Sequence, residues 1–76
     1  MKEAVEKIVR ALVDDTDAVE VSETAKDSSV VIAVRVAESD MGRLIGREGR
    51  TIKAIRSILY AASQKHRKRF VLEVVE

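Results

Sequence analysis

Ile45-Gly46-Arg47-Glu48-Gly49-Arg50-Thr51-Ile52-Lys53-Ala54-Ile55-Arg56 is the stretch whose reading decides the fold of this 76-residue chain. It holds a glycine pair between two apolar, helix-like segments. Gly46 and Gly49, with Gly42 just before them, are the only glycines in the sequence. Where a main chain must bend sharply or let a ligand approach, the missing Cβ permits positive φ and close contact. Arg43 precedes the turn, and Arg50, Lys53 and Arg56 follow it. The amides of the turn therefore sit in a positive field that suits phosphate.

Beyond the turn the charge is strongly uneven. From Arg43 to Arg69 nine Lys and Arg face the single acid Glu48, a local net of +8, while the rest of the chain nets −7 and the whole +1. Such segregation within so short a chain points one face at a polyanion. The length fits one domain with a thin core. There is no cysteine, so disulfide, zinc-thiolate and thiol chemistry are excluded, as suits a reducing, cytoplasmic setting. No apolar run is long enough to span a bilayer, and the charged amphipathic start MKEAVEKIVR has no signal-peptide pattern. The chain reads as soluble and unprocessed, with no membrane partner.

The flanking sequence supplies the elements. Val5, Ile8, Val9, Leu12 and Val13 recur at three and four, predicting an amphipathic helix closed by the acidic turn Asp14 to Asp17. Val19 and Val21, alternating with Glu20, Ser22 and Thr24, give a weak strand, and Lys26-Asp27-Ser28-Ser29 a polar turn. VVIAVRVA, residues 30–37, is the strongest strand, with Val30, Ile32, Val34 and Val36 on the core side. Ser39 and Asp40 stop it and offer a side-chain cap to a helix of about two turns that holds Met41, Leu44 and Ile45. Gly42 is expected to let that helix pack closely. After the glycine turn, Ile52, Ile55, Leu59 and Ala62 form the stripe of a long helix, with Ile58 at its edge. Lys65 to Lys68 closes that helix, and Phe70 to Val75 is a last strand.

The order αββααβ implies an α+β fold. Two helices between the second and third strands make a crossover, so those strands should be parallel neighbours, with the first strand antiparallel to the second. The result is a three-stranded mixed sheet with the helices packed on one face and Arg35 on the other.

In this setting the segment from Ile45 to Arg56 resembles the GXXG segment of a KH domain. The extra helix and strand ahead of the βααβ core are similar to the type II KH fold of bacterial proteins. The likeness covers about residues 2 to 75, and the chain, taken as a single KH domain over residues 1–76, looks like the small stand-alone bacterial members. The resemblance implies a non-catalytic protein that binds about four nucleotides of single-stranded RNA. It implies that the main chain of Gly46, Arg47, Glu48 and Gly49 packs on the sugar-phosphate backbone. Arg43, Arg47, Arg50 and Lys53 would supply charge, and Leu44, Ile45 and Ile52 an aliphatic floor for bases, although their helical spacing suits a core equally. Strand-edge groups near Val34 to Val36 would read base edges. It also implies pairing, as a homodimer or with a larger KH-containing RNA-binding protein. The biological role would be that of a post-transcriptional regulator or RNA chaperone touching cell growth, division and shape.

Glu48 departs from the usual basic or polar residue of such a turn. Its carboxylate should temper phosphate affinity, and its plainest role is as a solvated partner of Arg47 or Arg50. Tyr60 and Phe70 are the only aromatics, too few for a sheet-wide stacking platform, so base preference should be loose. His66 has no second ligand residue near it, and no metal or other cofactor is expected. Walker A and dinucleotide-binding glycine patterns are absent, and no nucleophile has an evident base. Two rivals stay open. Helix, turn and basic helix also describe a duplex-DNA-binding helix-turn-helix, and a basic face could serve as a protein-interaction module. On the long helix Ala54, Ser57, Ile58 and Ala61 share a side turned from the core stripe, a candidate dimer surface.

Overall fold

The structure, a computed structural model, is described over residues 1–75. Helix α1 (Lys2–Leu12) leads through an acidic loop to strands β1 (Glu20–Lys26) and β2 (Ser29–Arg35), then come the short helix α2 (Met41–Ile45), the long helix α3 (Arg50–His66) and strand β3 (Arg69–Val75). The sheet order is β1-β2-β3, antiparallel between the first two strands and parallel between the last two. This is the expected mixed sheet with the helices on one face. The crossover through α2 and α3 is what makes the second pairing parallel.

Alternation along β2 assigns the faces. Val30, Ile32 and Val34 are buried, and their neighbours across the ladder, Val21 on β1 and Leu72 on β3, are buried with them. Val5 and Val9 of α1 and Ile52, Ile55 and Leu59 of α3 close over this surface. A fully buried side chain of this kind stabilises by about 1.5–3 kcal/mol. Val13, although just past the last turn of α1, is buried too. β1 is an edge strand with only Val21 buried, and Glu23 stays exposed although it sits opposite Ile32. That half cover explains why its alternation is weak in the sequence. The turn from β1 to β2 needs only Asp27 and Ser28, with Asp27 at φ 54°.

Two local expectations change. β2 ends at Arg35, and α2 has five residues preceded by a single 3-10 turn over Glu38–Asp40, so the helix is shorter than two turns. Asp40 occupies the N-cap position but its side chain caps nothing there. Its carboxylate has stronger partners elsewhere.

Candidate nucleic-acid interface

The turn from α2 into α3 holds three residues of positive φ within four positions. Gly46 has φ 79° and ψ 170°, Glu48 φ 56° and ψ 26°, and Gly49 φ 75° and ψ 16°. The first of these is a conformation that glycine alone adopts readily. A Cβ on Gly46 would overlap Oγ1 of Thr51 and lie 2.7 Å from its main-chain N. At Gly49 the same addition meets nothing closer than 3.9 Å, so there only the dihedral resists. Gly42 has open space around it. Close packing is therefore not its reason, contrary to the sequence expectation. Thr51 was not singled out in the sequence, yet it is what makes glycine necessary at position 46.

Hydrogen bonding leaves the tip of the turn bare. The Gly46 N–H donates to the Gly42 carbonyl at 2.8 Å, the Gly49 N–H to Gly46 at 3.1 Å, and the Arg50 N–H to Arg47. Among the described residues no acceptor is bonded to the main-chain N–H of Arg47 or Glu48. Two neighbouring donors thus project from an exposed turn, a ready anion nest. Arg47 in the turn and Arg50 and Lys53 in the first turn of α3 follow it closely, all exposed and none in an ion pair among the described residues. Glu48 is likewise exposed and has no cation within ion-pair distance among the described residues. Its expected pairing with Arg47 or Arg50 is not formed, and the carboxylate faces water beside the two free amides.

Arg43 does not belong with these cations. Its guanidinium reaches Asp14 at 3.0 Å and Asp40 at 3.5 Å. Asp40 is 2 % exposed, and its two carboxylate oxygens accept the main-chain N–H groups of Asp14 at 3.1 Å and Asp15 at 3.0 Å. These amides, that of Asp15 foremost, hold the carboxyl below its usual range, with Arg43 assisting against the cost of burial. The Asp40 clamp ties the loop after α1 to the start of α2. It thereby fixes the element that carries the glycine turn, and Arg43 belongs to this clamp.

The aliphatic floor also narrows. Leu44 is fully buried and supports the surface from beneath without reaching it, whereas Ile45 is 40 % exposed and Ile52 lies at the boundary, 8 % exposed. Base-edge reading by the main chain around Val34 to Val36 meets an obstacle. β2 is the central strand, with Val34 and Arg35 matched on both sides. The free edge next to α3 is that of β3. The Arg69 N–H points inward to the Ser28 carbonyl, and the Phe70 N–H points outward to Ser63 Oγ at 2.9 Å. Alternation then puts the main-chain groups of Leu72 and Val74 on the open edge.

The family model described as KhpA/KhpB, KH domain matches residues 2–74. The chain belongs to the KhpA/KhpB KH-domain family. Similar relatives include proteins named RNA-binding protein KhpA from Halalkalibacterium halodurans (46% identical over 76 residues, 100% of both chains) and Caldanaerobacter subterraneus (45% over 75 residues, 99% of this chain and 100% of the relative). A third, of the same name, comes from Clostridium acetobutylicum (44% over 75 residues, 99% of this chain and 100% of the relative). No solved structure matches the chain. The bare turn, the two helices flanking it and the edge strand thus sit on a KhpA/KhpB-type KH scaffold. No described helix is long and apolar enough to cross a membrane, and no described group of side chains could hold a metal ion.

On the opposite flank of α3, Ala54, Ser57, Ile58 and Ala61 are all exposed, Ile58 by 49 %. The Ser57 hydroxyl folds back onto the Lys53 carbonyl at 3.0 Å. This leaves a flank with little polarity.

Proposed function

We propose that the chain is a non-catalytic, single-stranded-RNA-binding KH protein in which the turn from Gly46 to Gly49 clamps the sugar-phosphate backbone. The observation that carries this reading is the pair of unpartnered N–H groups on Arg47 and Glu48 at the tip of a glycine-bounded turn. A phosphate oxygen can accept from both while the glycines keep side chains out of its way. Arg47, Arg50 and Lys53 add charge. Ile45 and the rim of Ile52 offer bases an apolar surface, and the free β3 edge offers donors and acceptors to base edges. About four nucleotides fit such a clamp. The naming of the relatives as RNA-binding proteins supports the ligand class.

One copy has few contacts and binds weakly, so pairing raises affinity through effective concentration. The flank of Ala54, Ser57, Ile58 and Ala61 is the proposed contact, with a second copy or with a larger KH-containing RNA-binding protein. The setting is the cytoplasm and the role post-transcriptional, as a regulator or RNA chaperone bearing on cell growth and shape. An Ala61→Glu variant should stay folded and sediment at lower mass; an unchanged mass would reject this flank.

Fluorescence anisotropy with single-stranded RNA, single-stranded DNA and duplex DNA tests the ligand. Tightest binding to single-stranded RNA is expected. Preference for the duplex would favour a helix-turn-helix mode, and no binding at moderate salt would shift weight to a protein-interaction module.

A further inference from the structure

The part of α3 from Arg56 onward and the first half of β3 wall an open hollow of ≈ 870 Å³. Tyr60 stands in its wall and is 67 % exposed, more than either of the other exposed large apolar residues, Ile45 and Ile58. Arg56, Arg67, Lys68 and Arg69 line the same hollow, and no acidic residue does among the described residues. None of these four cations is in an ion pair among the described residues. An exposed aromatic ring among unpaired cations offers a π-face and positive charge together.

The hollow is also held rigid. Ser63 Oγ donates to the Leu59 carbonyl at 2.8 Å and accepts the Phe70 N–H at 2.9 Å, fastening the end of α3 to the start of β3. Phe70 is propped in turn by His66, ring centroids 6.2 Å apart and edge to face. Tyr60 is ten residues along α3 from Arg50, about 15 Å at the helical rise. A nucleotide held at the glycine turn cannot also lie on this ring.

We propose that this hollow is a second subsite, where a base of the same single strand, beyond the nucleotides at the turn, stacks on Tyr60 while its phosphates meet Arg56, Arg67 and Arg69. The inference rests on the RNA-binding reading above. An acidic protein segment would engage the cations and leave the ring idle, whereas a nucleotide presents a π-face and a phosphate together. One stacking ring tolerates any base, so the subsite lengthens the footprint without imposing a sequence.

Tyr60 is the only tyrosine, and there is no tryptophan, so intrinsic fluorescence reports on this ring alone. The native chain is titrated with degenerate four- and eight-nucleotide RNAs, saturation being judged by anisotropy or competition, with free tyrosine amide correcting for absorption. The octamer should quench the emission by about half or more and the tetramer scarcely, and Tyr60→Ala should weaken the octamer roughly tenfold while sparing the tetramer. Tyr60→Phe should bind like the native chain. Saturation by the octamer without quenching would overturn the subsite and leave the role of the turn standing. Equal losses for tetramer and octamer in Tyr60→Ala would also overturn it, by assigning the ring a purely structural part. Absence of any RNA binding would bring down both readings together.

Discussion

At the scale of single residues, the site depends on where a Cβ can and cannot go. Gly46→Ala combines a glycine-only dihedral with overlap onto Thr51, so urea unfolding should show a loss of about 2–3 kcal/mol. Gly49→Ala, with room but the same sign of φ, should cost only about 1 kcal/mol. Equal costs at the two positions would mean that Thr51 yields freely. Glu48 sits at φ 56° with a free carboxylate beside two bare amides. Asn adopts that conformation more readily and carries no charge. Glu48→Asn should therefore gain roughly 0.5 kcal/mol of stability and bind single-stranded RNA about threefold more tightly, as removal of one repelling charge allows. Weaker binding by this variant would place the carboxylate in a supporting role. The glycine pair was legible in the sequence because glycine is rare here and bounded by helical patterns. Thr51 was not, because its role exists only once the turn has brought it against Gly46.

At the scale of elements, the strongly periodic segments were legible and the short polar ones were not. α1, β2 and α3 declare themselves through apolar spacing, and most core residues read from that spacing are buried, whereas Ile8, Leu12 and Ala62 are only partly covered. Asp40 read as a helix cap because that is the commonest local use of such a residue. Its partners, the amides of Asp14 and Asp15, lie 26 and 25 residues away, a distance that no local pattern encodes. The pairing of Arg43 with Asp14 was hidden for the same reason. That β2 is central, and that β3 therefore supplies the free edge, followed from the topology already read, although the sequence reading placed the edge groups near Val34 to Val36. The clamp has a pH signature. The folded Asp40 carboxyl titrates below its ordinary 3.8, so its contribution is full above that value and is lost as pH falls through the lower folded one. The stability gap between the native chain and Asp40→Asn should be widest near neutrality and close as pH drops below 3.8. A gap that persists unchanged into strong acid would remove the carboxylate from the clamp.

At the scale of the whole molecule, a net charge of +1 conceals a basic stretch of +8, and the fold gathers much of it along the turn, α3 and the start of β3. Most of the acids lie elsewhere, on α1, its following loop and β1. RNA affinity should consequently fall with salt, with a log-log slope of roughly −2 to −3 if three or four phosphates are neutralised. A flat response would deny the basic face its phosphates. The central claim is that the turn between Gly46 and Gly49 holds the RNA backbone, and its most direct test is anisotropy with single-stranded RNA for a variant in which Arg47 and Glu48 are both Asp. Asp tolerates the left-handed position at 48, so the variant should keep the native circular dichroism and urea midpoint. Loss of RNA binding by such a folded variant is the predicted result. Native affinity in the same folded variant would contradict the account, because two carboxylates would then occupy the turn without disturbing the ligand.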